Sequence, residues 1–214
     1  MRGIERLPEP QILIEKKATW INNFIASGNK RPDSSKYAHN TIKIQLNSMS
    51  FNKCFYCETK LKGLSKEVDH HIEVSVNKNL SYEWANLYLS CDNCNNKIPH
   101  SHIPIDEALN PCIDSDERIK EHLTFTKEII EPKDNSDLGL KTIQKYRLDT
   151  ELLDNRRLKQ INLFLEIVLS IRTNQVSEKR NNLKDEELNA IYRFKAVDNS
   201  FSRMFEVLIE KYGL

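Results

Sequence analysis

The sequence predicts an α+β fold in which a small metal-stapled module sits inside a mostly α-helical, single-domain body. Three observations lead to this. Only five glycines occur in 214 residues, too few for a turn-rich all-β protein. Two Cys-x-x-Cys pairs, Cys54/Cys57 and Cys91/Cys94, bracket one short stretch of chain. On both sides of that stretch, apolar residues recur at helical spacing. No clean linker interrupts the chain. Three segments are therefore expected to pack as one unit: a helical arm over residues 1–50, the metal-bearing module over 51–112, and an irregular segment followed by helices over 113–214.

In chain order, residues 1–10 read as an extended arm, because Pro8 and Pro10 obstruct a helix. Residues 11–26 carry Ile12, Ile14, Ala18, Ile21, Phe24 and Ile25 at the spacing of an amphipathic helix, and Ser27-Gly28-Asn29 stops it. A second helix is expected from about Pro32-Asp33-Ser34-Ser35, with Tyr37, Ile42, Ile44, Leu46 and Met49 near its buried side. A turn is expected over 61–64. Residues 67–76 alternate Val68, His70, Ile72, Val74, Val76 against Asp69, His71, Glu73, which is a strand pattern. A short apolar segment over 82–89 enters the second cysteine pair, and a short helix follows at about 91–95, ended by Pro99. Residues 123–130 read as a small hairpin or an edge strand. Helices are expected from 140 onward. The apolar density of 149–172 exceeds one stripe, so that helix is expected to be buried on most sides. Two more helices are expected at 185–196 and 200–212.

Composition sets limits on function. No apolar run approaches the roughly 20 residues needed to span a bilayer, and the N-terminus has no apolar signal core. A cytoplasmic location is therefore expected, without a membrane partner. In such a reducing compartment paired cysteines read as metal ligands and not as disulfides. The net charge of +1 rules out a whole-domain basic field, although residues 1–60 hold ten Lys/Arg against five Asp/Glu.

The four cysteines supply four thiolates from two tight turns, which suits tetrahedral zinc. With all four positions cysteine, no coordination site stays open, so the zinc is structural. Asp69 and His70 lie inside the loop that this ion would close, with Asn86 further on and Asn95 and Lys97 just past the last cysteine.

This constellation resembles an HNH endonuclease of the ββα-metal type with a four-cysteine zinc site. A wider similarity rests on Cys54-Phe55-Tyr56-Cys57-Glu58, Ser81-Tyr82-Glu83-Trp84-Ala85-Asn86-Leu87, Asn110-Pro111-Cys112 and His122-Leu123-Thr124-Phe125. It extends to the opening Met1-Arg2-Gly3-Ile4-Glu5-Arg6 and to Thr142-Ile143 through Arg156-Arg157. These segments resemble the HNH subunits of bacterial anti-phage defence systems of the Septu and retron-associated types. The resemblance implies a metal-dependent nuclease acting on DNA, or on RNA such as tRNA. It implies His70 as general base, Asp69 and Asn95 as ligands of a catalytic Mg2+ or similar divalent ion, and Asn86 as the residue that orients the base. It also implies an ATPase partner, and in retron systems a reverse transcriptase with its RNA–DNA product.

Some points stay open in the sequence. His71 and Glu73 stand where the family pattern has an apolar residue and a proline, so His71 is a rival base. Lys97 follows Asn95 by two residues instead of three, so Asn96 is a rival metal ligand. Lys97, Arg156 and Arg157 are candidate phosphate contacts, and a solvated helix face explains the two arginines equally well. The competing functional reading is a non-catalytic zinc module that binds protein or nucleic acid.

Overall fold

A computed structural model describes residues 1–62 and 66–213, so the turn expected over 61–64 falls partly outside the described residues. Helix α1 spans Gln11–Ala26, with Pro10 at its N-cap. Its packed stripe is Leu13, Trp20 and Phe24, and Trp20 and Phe24 lie with ring centroids 5.6 and 6.4 Å from Tyr82. Ile14 and Ile25, expected on the buried side, are exposed. The phase set by Leu13 and Phe24 wins because both meet the module, whereas Ile14 lies about 100° around the helix from Leu13. The second helix divides into α2, Ser34–Tyr37, and α3, Asn40–Met49. Asp33 accepts a hydrogen bond from the Ser35 N–H and caps α2. Ile42 and Leu46 are buried under α3, and Ile44 faces solvent.

The module is a β–β–α unit. Strand β1, Glu67–His70, pairs antiparallel with β2, Leu87–Ser90, in a register that sets Asp69 opposite Tyr88 and His70 opposite Leu87. One turn of helix, α4, Asp92–Asn95, follows directly. β1 is shorter than the expected strand over 67–76. The His71 N–H donates to the Asn86 carbonyl at 2.9 Å and the Ile72 N–H to Asn86 Oδ1 at 2.7 Å. These two bonds bend the chain away from the sheet immediately after His70.

Behind the module, α5, Asp116–His122, leads into a hairpin of β3, Leu123–Thr126, and β4, Ile129–Pro132. Helix α6, Asp137–Lys145, packs on β4 and against the end of α5, where a Cβ on Gly139 would stand 2.1 Å from the His122 carbonyl oxygen. The chain ends in α7, Glu151–Ser177, α8, Asp185–Tyr192, and α9, Ser202–Tyr212. Phe164, Phe194 and Phe205 interlock these elements with centroids 4.9–5.4 Å apart. No helix among the described residues is long and apolar enough to cross a membrane.

Two expectations about α7 are corrected. It is not buried on most sides: Leu153, Phe164 and Ile171 form its inner face, while Leu158, Leu165, Leu169 and Val176 remain exposed. Arg157 is not a phosphate contact. It is 1 % exposed, donates to the carbonyls of Leu148 (2.8 Å) and Glu128 (3.3 Å), and pairs with Asp154 at 2.9 Å. Arg156 stands 3.7 Å from Asp92 of α4 and braces α7 against the module.

Buried Glu58 ties the flanks to the module. Its carboxylate accepts from Lys53 Nζ at 3.0 Å and Ser202 Oγ at 2.7 Å and lies 3.7 Å from Arg2 Nε. The Met1 amine and the positive groups of Lys53 and Arg2 hold its carboxyl well below the usual carboxylate range, although burial opposes them. A buried charge set of this kind is stable only while complete. The same reasoning applies to Arg157. Replacing it by Ala is expected to lower stability by about 3 kcal/mol, because two carbonyls and Asp154 lose their donor. Chemical denaturation would show this. A midpoint within error of wild type would contradict the buried role.

Candidate active site

The four cysteines converge at one point. Cys54 and Cys57 belong to a turn closed by the Cys54 N–H donating to the Thr59 carbonyl at 2.9 Å. Glu58 takes the left-handed conformation that this turn needs, with φ 62°. Cys91 is the N-cap residue of α4 and Cys94 lies within it. All four are buried, and their sulfurs lie within 4.8 Å of one another. Cys57 Sγ and Cys91 Sγ are 3.7 Å apart. A tetrahedron with metal–sulfur bonds of about 2.3 Å has edges of about 3.8 Å, so the cluster fits a structural zinc ion.

Asp69 and His70 reach the site from β1. Asp69 is buried, and Tyr56 Oη donates to its Oδ2 at 2.7 Å. Its Oδ1 pairs with the Lys97 ammonium, which also donates to the His70 carbonyl at 2.8 Å. Lys97 is thus committed within the site. The donor chemistry suits a hard cation, since the Asp69 carboxylate and the exposed amide of Asn95 line one cleft and such ions take oxygen ligands and keep waters.

His70 Nε2 lies 2.9 Å from the Ser81 carbonyl oxygen. A carbonyl can only accept, so Nε2 carries the proton and Nδ1 keeps its lone pair. Burial lowers the His70 pKa from its ordinary value, against the opposing effects of the Ser81 carbonyl and Asp69. The ring is therefore neutral near pH 7. Tyr37 packs against it edge-on with centroids 4.6 Å apart.

Asn86 lies beneath this arrangement and does not touch metal-type donors. Its Nδ2 donates to the carbonyls of Ile72 (3.0 Å) and Leu80 (3.1 Å). Leu80 directly precedes Ser81, whose carbonyl holds His70. Asn86 therefore fixes both chain segments that flank the histidine.

His71 is placed elsewhere. Its ring stacks on Tyr88 at 4.3 Å, and its Nε2 lies 3.0 Å from Asn110 Nδ2. Burial, followed by the charges of Lys97, Arg6 and Lys145, pushes its pKa down to about 3. It is a neutral interior ring and not a base facing substrate. Asn96 lines the same cleft as Asn95; its Nδ2 donates to the Asp92 carbonyl at 2.8 Å, a bond that does not involve Oδ1, so it stays an alternative oxygen ligand.

A cleft of about 710 Å³ collects Asp69, His70, Asn95, Asn96 and Lys97. It does not include Asn86, His71, Arg156 or Arg157. Sequence reasoning missed several contributors. Tyr56, which stacks on Tyr146 at 4.3 Å, holds Asp69. Arg6 donates to the carbonyls of Trp84 (2.7 Å) and Ala85 (2.9 Å) and braces the turn before β2. Lys145, fully buried, pairs with Glu73 at 3.1 Å. Tyr56 sits inside a cysteine pair, which was a signal for proximity. Arg6 and Lys145 carried no local signal.

The sequence model of the HNH endonuclease family matches residues 54–101, the segment that holds both cysteine pairs, Asp69, His70 and Asn95. The chain is 34 % identical over 117 residues to a Septu protein PtuB of Bacillus thuringiensis, covering 54 % of this chain and 44 % of that protein. It is 30 % identical over 155 residues to a Septu protein PtuB of Bacillus mycoides strain KBAB4, covering 58 % and 52 %. The chain spans about half the length of the curated relatives it matches. The central β–β–α unit is thus an HNH endonuclease module in a chain similar to Septu PtuB proteins.

Two measurements bear on this geometry. Cys57→Ser is expected to reduce bound zinc from about one ion per chain to near zero and to abolish cooperative unfolding, since structural zinc supplies folding free energy directly. A Cys57→Ser chain that keeps its zinc would refute the assignment. Lys97→Met leaves a buried carboxylate with one donor, and is expected to cost roughly 3 kcal/mol without divalent ions. Millimolar Mg2+ should recover part of that loss in a thermal melt. An unchanged midpoint would mean that the ion pair is not structural.

Proposed function

We propose that this chain is a metal-dependent endonuclease that hydrolyses phosphodiester bonds in nucleic acid, with DNA as the first substrate and RNA as the alternative. The observation that carries the reading is the cleft itself. A neutral histidine with its Nδ1 lone pair available shares that cleft with Asp69 and Asn95, inside an HNH-matched segment.

In this reading His70 Nδ1 accepts a proton from the water that attacks phosphorus, while the Ser81 carbonyl steadies the imidazolium that forms. Asn86 is a positioning residue. It holds Leu80 and Ile72, so the imidazole cannot swing as it gains charge. Asp69 and Asn95 would hold a divalent ion such as Mg2+, which when bound stabilises charge on the phosphoryl oxygens and the leaving group. Lys97 would exchange part of its contact with Asp69 for a substrate phosphate, and the carboxylate so released would be free to hold the ion.

The similarity to Septu proteins supports a role in bacterial anti-phage defence with an ATPase partner. The exposed apolar residues Leu158, Leu165, Leu169 and Val176 on α7 are the surface we assign to that partner. A net charge of +1 gives little affinity for nucleic acid from the overall field, so recruitment by a partner suits the chain.

His70→Ala is expected to cut the cleavage rate by roughly a thousandfold while zinc content and melting midpoint stay at wild-type values. Full cleavage by the His70→Ala chain would remove histidine as base. A wild-type chain that binds zinc but cleaves neither DNA nor RNA, alone or with its partner, would favour the non-catalytic zinc module instead.

A further inference from the structure

The cleft has a wall that lies outside the HNH-matched segment. It is formed by Lys30, Arg31 and Pro32, between α1 and α2, and by Tyr37 of α2. We propose that this loop is a phosphate clamp: Lys30 and Arg31 grip the sugar–phosphate backbone of a nucleic acid strand and set its position relative to His70. The proposal rests on the nuclease reading for the identity of the ligand.

Three observations carry it. First, the loop is tethered to the module on both sides of the two cations. Lys78 Nζ donates to the Asn29 carbonyl at 2.9 Å, and the Asp33 N–H donates to Tyr82 Oη at 3.3 Å. Tyr82 is itself buried against Trp20 and Phe24. The cations are therefore presented from a fixed platform, although Gly28 and Asn29 beside them end a helix.

Second, the other positive groups at this end of the cleft are already committed. Lys97 pairs with Asp69, Lys145 pairs with Glu73 at 3.1 Å, and Lys36 pairs with Asp33 at 3.7 Å. Lys30 and Arg31 are exposed and form no ion pair among the described residues. Unlike Lys97, they can meet an external anion without giving up an ion pair. The pair also divides the work chemically. A guanidinium meets two phosphate oxygens with its planar fork, and an ammonium follows as a mobile point charge.

Third, the platform is joined to the reacting group. Tyr37 lies on the same short helix that the tethered Asp33 caps, and its ring touches His70 edge-on at 4.6 Å. A strand held by Lys30 and Arg31 is thus placed relative to His70 through rigid contacts. Neither cation reads base edges, so the grip is independent of sequence.

The test measures binding and cleavage separately. Full-length His70→Ala chain is titrated by fluorescence anisotropy with duplex DNA, single-stranded DNA and RNA of one sequence, over a series of salt concentrations. The same is done for Lys30→Ala/Arg31→Ala in that background. Removing two phosphate contacts is expected to weaken binding about tenfold or more and to flatten the slope of log K against log salt by about 2 for duplex DNA, or about 1.4 for a single strand. With His70 intact, the double variant is expected to raise KM with kcat retained. A control that removes the same charge outside the cleft, Lys133→Ala/Lys211→Ala, should change neither. The polymer that shows the flattened slope is the one that the clamp holds. If the double variant cleaves normally and its salt slope equals the control's on all three polymers, the clamp is overturned and the nuclease reading stands. If the slope flattens but the chain with His70 intact never cleaves, the clamp stands and the nuclease reading falls. If the His70→Ala chain binds none of the polymers, the clamp is overturned as well.

Discussion

The closure of four thiolates around one point is the constraint on which the rest of the molecule depends. The strands of the central module are four residues each, and its helix is a single turn. A two-stranded hairpin of that length is not stable alone, and neither is an isolated turn of helix. The cysteine cluster supplies what these elements lack. Cys91 leads directly into α4, Cys94 lies inside it, and Asn95 is the next residue. On the other arm, the Phe55 N–H donates to the Leu89 carbonyl at 2.9 Å and locks the first cysteine turn onto β2. Asn95 is therefore joined directly to the cysteine cluster, and Asp69 is tied to it through the hydroxyl of Tyr56, the residue before Cys57.

Two polar networks extend that order outwards. Around Glu58, the Lys53 ammonium, the Ser202 hydroxyl and the Arg2 guanidinium join the cysteine turn to α9 and to the opening arm. Around Asp69, the Tyr56 hydroxyl and the Lys97 ammonium join the same turn to β1 and to the chain after α4. The Glu58 network is structural. The Asp69 network borders the cleft. The same physics, a buried carboxylate that must be paired, makes a joint inside the body in one place and part of a cleft wall in the other.

Much of this was visible in the sequence. Cysteine spacing specified the knot, Pro10 and Gly28 bounded α1, and the short helix after Cys91 followed from the second pair. The pattern 123–130 allowed a hairpin or an edge strand, and the structure has the hairpin. The failures share one cause, which is that local pattern carries no information about what lies opposite. Ile72, Val74 and Val76 continue the alternation of β1, yet Asn86, fourteen residues after Ile72, bends the chain away. The leucines of α7 have the density of a buried helix, but the body offers only one face for them to cover. Arg157 resembles any surface arginine until the carbonyls of Glu128 and Leu148 are brought to it. His70 and His71 are neighbours in the chain. One ring reaches the cleft and the other stacks on Tyr88, because β1 ends between them and the chain bends there.

The electrostatics of the cleft follow from these placements. Glu67, Asp69 and Glu73 bring negative charge to its lining, and Asp69 and Glu73 are matched by lysines drawn from outside β1, Lys97 and Lys145. The cleft therefore has no strong field of its own, in keeping with a chain whose net charge is +1. Binding of a polyanion to such a surface depends on the few cations left unmatched and on contacts provided in trans. Grip then comes from a small number of placed charges, each with a large share of the salt dependence.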